Sequence, residues 1–346
     1  MPTTNDSAYK RAGVDLAAGS RATDLMKAAV QATYGKEVLA GIGAFGGLFD
    51  ISALKEMARP VLVASTDGVG TKTRVAARMN QWGTIGQDIV NHCVNDILVQ
   101  GGRPLFFLDY VASAKLSPEQ IAEVVGGAAL ACNEAGCALL GGETAEMPGV
   151  YQPDEIDIVG TIIGVVDHPD IIDGTRIRGG DIILGLPSTG LHTNGFTLAR
   201  TVLEGIDWHT PLPELSLGTG QSIGDAMLAI HRPYLKPVTE LKTAGVEIRG
   251  MAHITGGGLI DNPPRIIPKG LGAVLRQGTW PQPSIFHLIQ QAGSISDAEM
   301  YHVFNMGLGM LVIVPPGDVE LARQTLPDEL FVVGKIVTGK GGVTII

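Results

Sequence analysis

The sequence predicts a mixed α/β fold built as two domains, with helices set between strands. Three observations carry that reading. Short apolar runs such as "PVLVAST" and "LFFLDYVA" alternate with longer stretches of helical periodicity such as "TIGQDIVNHCVNDILVQGG". The pattern restarts after "HPDIIDGTRIRGG", which places a boundary near residue 169 and gives domains of 1–169 and 170–346. A chain of 346 residues is also long for one core and comfortable for two.

In order, "PVLVAST" reads as a strand and "TIGQDIVNHCVNDILVQGG" as a helix with a glycine stop. "LFFLDYVA" is a strand. The helix after it opens at Ser117 with Pro118 in its first position, where a missing N–H removes no bond. "CALLGG" and "IDIVGTIIGVVD" are strands. In the second domain "DIILGLPSTG" is a strand, "NGFTLARTVLEG" a helix, and "GDAMLAIHRPYLKPVTELKTAG" a helix broken near its prolines. Strands "VEIRGMAHIT", "GAVLRQ" and "GMLVIVPP" follow, then a helix from Gly317 and a last strand, "LFVVGKIV". Residues 207–222, rich in Pro, Gly, Ser and Thr, read as a surface connection.

Composition narrows the function. With 45% apolar and 17% charged residues the chain buries a large volume and is not disordered. A net charge of −10 argues against nucleic acid or an anionic membrane as the main partner. It leaves room for a phosphorylated small ligand, because loops and a metal invert the local field. No run approaches about 18 apolar residues, and the first fifteen lack the apolar core of a leader, so a cytoplasmic location is expected. Cys93, Cys132 and Cys137 form no Cys-x-x-Cys pair; they read as small buried hydrophobes in helical surroundings. The 47 glycines gather after apolar runs, where turns approach ligands closely.

Six segments are candidates for chemistry. "STDGVGTK" puts Asp67, Gly68, Gly70 and Lys72 after a strand, without the P-loop spacing. Asp67 reads either as a helix cap or as a ligand. On the helix over 84–100, Ile85, Ile89, Val90, Cys93, Val94, Ile97 and Leu98 define the apolar side. Asp96 falls at its margin, where a carboxylate is costly unless something positive meets it. Asp88, Asn91, His92 and Asn95 take the polar side and read as solvated. "GGETAEMPG" reads as a turn bearing Glu143 and Glu146. Asp67, Asp96 and Glu143 together supply the oxygen ligands that Mg²⁺ takes, with the amides of Gly68 and Gly70 and the Lys72 ammonium handling remaining phosphate charge. "GIGAFGGLFD", with Gly43, Phe45 and Gly46, is either a surface loop or a flap over a triphosphate. "HITGGGLIDNPPR" offers Gly256, Gly257 and Gly258 as an anion nest, with Arg265 nearby. In "GLPSTGLHTNGF", Ser188, Thr189 and Asn194 surround His192, which reads as exposed to a cleft and suited to proton transfer. The other seven histidines offer no comparable setting, and no metal spacing joins them.

Taken in this order, "YKRAGVD", "STDGVGTK", "VNDILVQGGRPLFFLDY", "GGETAEMPG", "GLPSTGLHTNGF", "HITGGGLIDNPPR" and "FNMGLGM" resemble one family. It is phosphoribosylformylglycinamidine cyclo-ligase, also called aminoimidazole ribonucleotide synthetase. The segments span residues 9 to 310, and the set in register is highly specific. The resemblance implies the two-domain fold of that synthetase, with N-terminal domains pairing into a homodimer. It implies ATP-dependent cyclisation of formylglycinamidine ribonucleotide to aminoimidazole ribonucleotide, with ADP and phosphate released, in purine biosynthesis. The formyl oxygen attacks the γ-phosphate, and the amidine-side nitrogen then closes the ring. Asp67 and Asp96 match positions for Mg-ATP and catalysis, Glu143 the acid beside them, and His192 the active-site histidine. Lys10 and the flap match segments closing over nucleotide, while the Ser188–Asn194 turn and the Gly256–Gly258 nest with Arg265 go to substrate.

Arg11 and Ala17 stand where the family commonly has acids, and "GGRP" replaces its usual Gly-Ala-acid-Pro, which leaves the N-terminal arm's contacts open. The same fold resembles selenophosphate synthetase, thiamine-monophosphate kinase and the synthetase that makes formylglycinamidine ribonucleotide. The first would be expected to carry a reactive Cys near the N-terminus, where this chain has none before Cys93, and the second lacks the "HITGGGL"/"GLHTNGF" pairing. A non-catalytic nucleotide-binding scaffold is disfavoured by Asp67, Asp96 and His192 together.

Overall fold

The computed structural model describes residues 8–153, 155–212, 221–339 and 341–346. The chain forms two compact units, one of residues up to Cys93 with Pro104–Val165, the other of Val94–Arg103 with Val166–Ile346.

The first unit opens with α1 (Ala8–Arg11) and α2 (Leu16–Gln31), the latter capped by Asp15, whose carboxylate accepts from the Ala17 and Ala18 amides. A hairpin of β1 (Val38–Ala40) and β2 (Leu48–Phe49) leads to β3 (Pro60–Gly68), α3 (Lys72–Met79) and α4 (Gly83–Leu98). Then come β4 (Arg103–Ser113), α5 (Pro118–Ala135), β5 (Ala138–Glu146) and β6 (Ile156–Asp167). The helix α5 starts and stops where its sequence directs. Ser117 is extended at the N-cap, Pro118 follows, and Gly136 closes it at φ +68°. It carries the chain between β4 and β5, which pair in parallel as such a crossover requires. The sheet order is β3-β6-β4-β5. Along β6 buried and half-buried residues alternate, so one sheet face is covered and the other stays partly open.

Three expectations change here. The glycine turn over 141–146 is strand: Leu108–Ser113 of β4 pairs residue by residue with Gly141–Glu146, so the ladder outweighs the two glycines. Gly142 is required, since a Cβ there would lie 1.9 Å from Asp109 Oδ1. The polar side of α4 is not solvated: Asp88, Asn91, His92 and Asn95 are all buried. Partners distant in sequence meet them, and periodicity along one helix carries no record of those. Cys93, Cys132 and Cys137 are buried free thiols, but Cys137 lies just before β5 instead of in a helix. Burial pushes the Cys132 thiol up, with Cys137 beside it adding to the rise.

The second unit contains β7 (Ile182–Pro187), α6 (Phe196–Val202), α7 (Ile223–Leu228), α8 (Leu235–Thr243), β8 (Gly250–His253) and α9 (Gly258–Asp261). It continues with β9 (Leu271–Leu275), α10 (Ser284–Gly293), α11 (Asp297–Val303), β10 (Leu308–Val314), α12 (Val319–Thr325), β11 (Phe331–Thr338) and β12 (Val343–Ile345). The sheet order is β12-β9-β11-β7-β10-β8, antiparallel except for β12 on β9. All seven residues of β10 are buried, as befits a strand between two neighbours with side chains packed on both faces. Tyr234, Val238 and Leu241 pack on Leu184, Leu186, Met310 and Val312. The helix broken at its prolines is present as α7 and α8. "LFVVGKIV" is not the last strand, because β12 follows it, and α10 and α11 are additions to the reading. β8 is shorter than "VEIRGMAHIT", for β10 pairs only with four of its residues, 250–253. Residues 213–220 of the expected surface connection lie outside the described residues. Among those described, no helix is long and apolar enough to cross a membrane.

Candidate active site

In the first unit the turn after β3 starts from Asp67, the next-to-last residue of the strand. Its Oδ1 accepts the N–H of Gly68 at 2.7 Å, and its Oδ2 lies 3.0 Å from His92 Nε2 on α4. Asp67 caps no helix; Thr71 holds the N-cap position of α3. Gly70, at φ +58°, turns the chain where a side chain would be strained. Lys72 does not face phosphate. Its ammonium is fully buried, 2.8 Å from the equally buried carboxylate of Asp88. Burial lowers the Lys72 pKa while Asp88 opposes the fall. The charge expected to greet a phosphate is neutralised inside the unit, and the Gly68 amide is spent on Asp67.

Glu143 stands elsewhere. β3 and β5 are opposite edges of the sheet, three strand spacings or about 14 Å apart. Within one chain Asp67 and Glu143 therefore cannot ligate one ion, which corrects the shared three-acid site. Glu143 instead lines a cavity of about 350 Å³ with Thr23 of α2, Gly43 of the hairpin loop, and Asp109, Gly142 and Thr144 of the sheet. The glycine flap and the acidic strand thus do meet. Within the flap, Gly43 has φ +95°, while Phe45 and Gly46 are exposed. Asp109 was passed over by sequence reading, although an acid inside the apolar run "LFFLDY" is a signal. It is half-buried as a residue, and desolvation lifts its carboxyl to about 7. Lys10 pairs with Asp15 at 3.1 Å, at the head of α2.

In the second unit the site gathers around the turn after β7. His192, expected to face a cleft, is buried, with φ +61° and its ring stacked on His231 at 4.0 Å. Its Nε2 accepts the backbone N–H groups of Thr189 at 3.3 Å and Arg232 at 3.4 Å. That lone pair is engaged, so His192 ties the turn to the segment between α7 and α8. Two histidines that sequence reading passed over extend the cluster. His231 Nε2 lies 3.0 Å from His253 Nε2, and His253 Nδ1 lies 2.8 Å from Asp96 Oδ1. The half-buried Asp96 thereby gains a hydrogen-bond partner, a histidine where a positive charge was expected. Thr193 Oγ1 lies 3.3 Å from His231 Nδ1.

Two asparagines hold the loops around this cluster. Asn305, in "FNMGLGM", lies 2.9 Å from the Ser188 hydroxyl through Oδ1 and donates to the Gly190 carbonyl at 2.8 Å. Asn262 donates to the Gly258 carbonyl at 2.8 Å and the Gly256 carbonyl at 3.2 Å. It thereby shapes the run Gly256–Gly258, in which Gly257 and Gly258 have φ +93° and +56°. Asn194 Oδ1 would be 3.3 Å from a Cβ on Gly256, so the turn and the nest abut. Thr189 donates to the Ile230 carbonyl, and Arg265 is exposed at the end of a 3₁₀ turn.

A family model described as AIR synthase related protein, N-terminal domain, matches residues 50–166, and the corresponding C-terminal domain matches 178–346. The chain belongs to the AIR synthase related family. Within it, a relative from Desulfitobacterium hafniense named phosphoribosylformylglycinamidine cyclo-ligase is 49% identical over 339 residues, covering 97% of this chain and 98% of the relative. Two solved structures share the fold at low identity. One is hydrogenase maturation protein HypE in complex with ATP, with TM-score 0.64, 18% identity and coverage of 99% and 92%. The other is thiamine-monophosphate kinase from Stenotrophomonas maltophilia, with TM-score 0.62, 15% identity and coverage of 93% and 94%. In this member of the AIR synthase related family, the two domain matches take in Asp67, Asp109 and Glu143 of the first unit and His192, His231 and His253 of the second, while Lys10, Thr23 and the Gly43–Gly46 flap lie before residue 50.

Proposed function

We infer that this chain catalyses ATP-dependent cyclisation of formylglycinamidine ribonucleotide to aminoimidazole ribonucleotide, releasing ADP and phosphate. The observation that carries the reading is the convergence in the second unit of the 188–194 turn, the Gly256–Gly258 nest and Asp96, linked through Asn194 and His253. A turn and a nest that abut suit a phosphoribosyl group, with Arg265 at the rim, and the acid–histidine array beside them suits proton transfer at the reacting amidine.

ATP occupies the first unit in this reading, its triphosphate under the Gly43–Gly46 flap beside Glu143 and its other end toward the Gly68–Gly70 turn. Magnesium would accompany it, with Glu143 of β5 to hold it. When bound, the ion neutralises phosphate charge. Asp67, braced by His92, faces the same turn as a polar contact. The active form is a homodimer paired through the first unit, and the work is done in the cytoplasm, in keeping with three unbridged cysteines.

The test is direct. Purified protein given ATP, magnesium and formylglycinamidine ribonucleotide forms one aminoimidazole product per ADP, read by mass spectrometry and a coupled ADP assay. ADP release that is indifferent to the amidine, or product without ATP consumption, overturns the reading.

A further inference from the structure

We propose that His231 is a relay residue, carrying a proton between Thr193 in the substrate turn and Asp96 on α4; this rests on the cyclo-ligase reading above. His231 is fully buried, and three hydrogen-bond distances define the array: Thr193 Oγ1 to His231 Nδ1 at 3.3 Å, His231 Nε2 to His253 Nε2 at 3.0 Å, and His253 Nδ1 to Asp96 Oδ1 at 2.8 Å. One arrangement of hydrogens satisfies all three with neutral rings. A carboxylate only accepts, so His253 carries its hydrogen on Nδ1 and donates it to Asp96. His253 Nε2 is then a lone pair, which requires His231 to donate from Nε2. His231 Nδ1 is left to accept from the Thr193 hydroxyl. Each ring faces opposite groups with opposite nitrogens, the condition for passing a proton through without either ring turning over.

The balance is as follows. Ring closure forms a carbon–nitrogen bond, expels phosphate, and sheds one N–H proton from the attacking nitrogen. Thr193 Oγ1 takes that proton while its own hydrogen passes to His231 Nδ1. The Nε2 hydrogen of His231 passes to His253 Nε2, and the Nδ1 hydrogen of His253 passes to Asp96 Oδ1. One proton enters, one appears on the carboxyl, no electrons change hands, and both rings end as the other neutral tautomer. His192 does not belong to the wire: it stacks on the face of His231 and spends its Nε2 lone pair on two backbone amides. Its place is to hold the His231 ring in register.

Two measurements on the full chain decide the matter. Histidine ¹⁵N spectra, with the His231 signals identified from their loss in His231→Gln, are expected to show His231 protonated on Nε2 alone and His253 on Nδ1 alone. Either ring in the opposite tautomer, or doubly protonated at neutral pH, overturns the relay, whatever the enzyme's substrate is. In turnover, His231→Gln is expected to lower kcat by about a hundredfold, within the usual reach of a positioned proton-transfer group, with KM for both substrates changed less than about threefold. His231→Ala is expected to regain kcat on addition of imidazole. A glutamine variant within twofold of wild type, or a folded alanine variant that imidazole does not revive, overturns the relay. Wild-type protein that makes no aminoimidazole product removes the cyclo-ligase reading, and the tautomer spectra then judge the array by themselves.

Discussion

Gly309, at the start of β10, separates Tyr234 from His192: a Cβ there would fall 1.9 Å from the tyrosine oxygen and 2.5 Å from His192 Cε1. Both rings are buried and held by hydrogen bonds, Tyr234 to the Pro187 carbonyl at 2.8 Å and His192 to two amides, so neither yields cheaply. Gly309→Ala is expected to cost about 1–3 kcal/mol, the usual range for overpacking, and to lower kcat by displacing His192 from His231. Gly317→Ala, with nothing within 4 Å, is the matched control and is expected to melt like wild type. A second prediction concerns Asp109. Burial raises its carboxyl to about 7 in the folded protein, above its value in the unfolded chain. The folded state then holds the proton more tightly, so the stability it contributes is complete below about pH 4 and is lost as pH rises through about 7. Melting temperatures of wild type and Asp109→Asn are expected to diverge across that window, with wild type falling relative to the variant; parallel curves would refute the assignment. Much at this scale was legible. Asp96 stands at an apolar margin as its spacing directs, though it meets a histidine, and the three glycines in a row do turn the chain, with Gly257 and Gly258 at positive φ. Lys72 misled, because its partner Asp88 sits sixteen positions away on another helix, and His231 and His253 were passed over because nothing in a one-dimensional pattern joins residues 96, 193, 231 and 253.

Between elements, the contact of α4 with α5 is made by glycines. A Cβ on Gly127 would lie 2.2 Å from the Gly83 carbonyl oxygen, and one on Gly86 1.9 Å from that of Val124. Backbone meets backbone, and backbone does not step aside. Gly126, the neighbouring residue, has open space around it. The two adjacent alanine substitutions are therefore expected to act in opposite directions. Gly126→Ala gains up to about 1 kcal/mol through helix propensity, while Gly127→Ala loses at least as much through the forced separation of two helices. Denaturant midpoints measured side by side check this, and equal shifts would defeat the crossing argument. Signals inside one element read well: α5 begins and ends at Ser117, Pro118 and Gly136. Elements defined by partners read poorly. β12 is three residues long and exists because β9 offers it an edge, and β5 keeps its strand through two glycines because β4 pairs with it.

For the whole molecule, the two units differ in how much apolar surface they leave uncovered. Ten of the thirteen large hydrophobic residues exposed among the described positions belong to the first unit. On β3, an edge strand rich in apolar residues, none is buried and Leu62 is 66% exposed. An apolar edge strand left open invites pairing with another chain, and a stable protein normally blunts it. No charge stands among Val61–Thr66 to do so; Arg59 and Asp67 only flank the run. A second copy meeting the first unit at this strand covers it, which is the pairing proposed for the active form. Wild-type protein is accordingly expected to sediment at twice the 36.2 kDa of one chain. Leu62→Lys places an ammonium on the open strand without touching a core residue, so each unit should fold while the pair dissociates. Sedimentation at one chain's mass with an unchanged circular dichroism spectrum is the expected outcome. A Leu62→Lys protein that stays at twice the mass locates the contact elsewhere, and wild type at one chain's mass removes the pairing altogether.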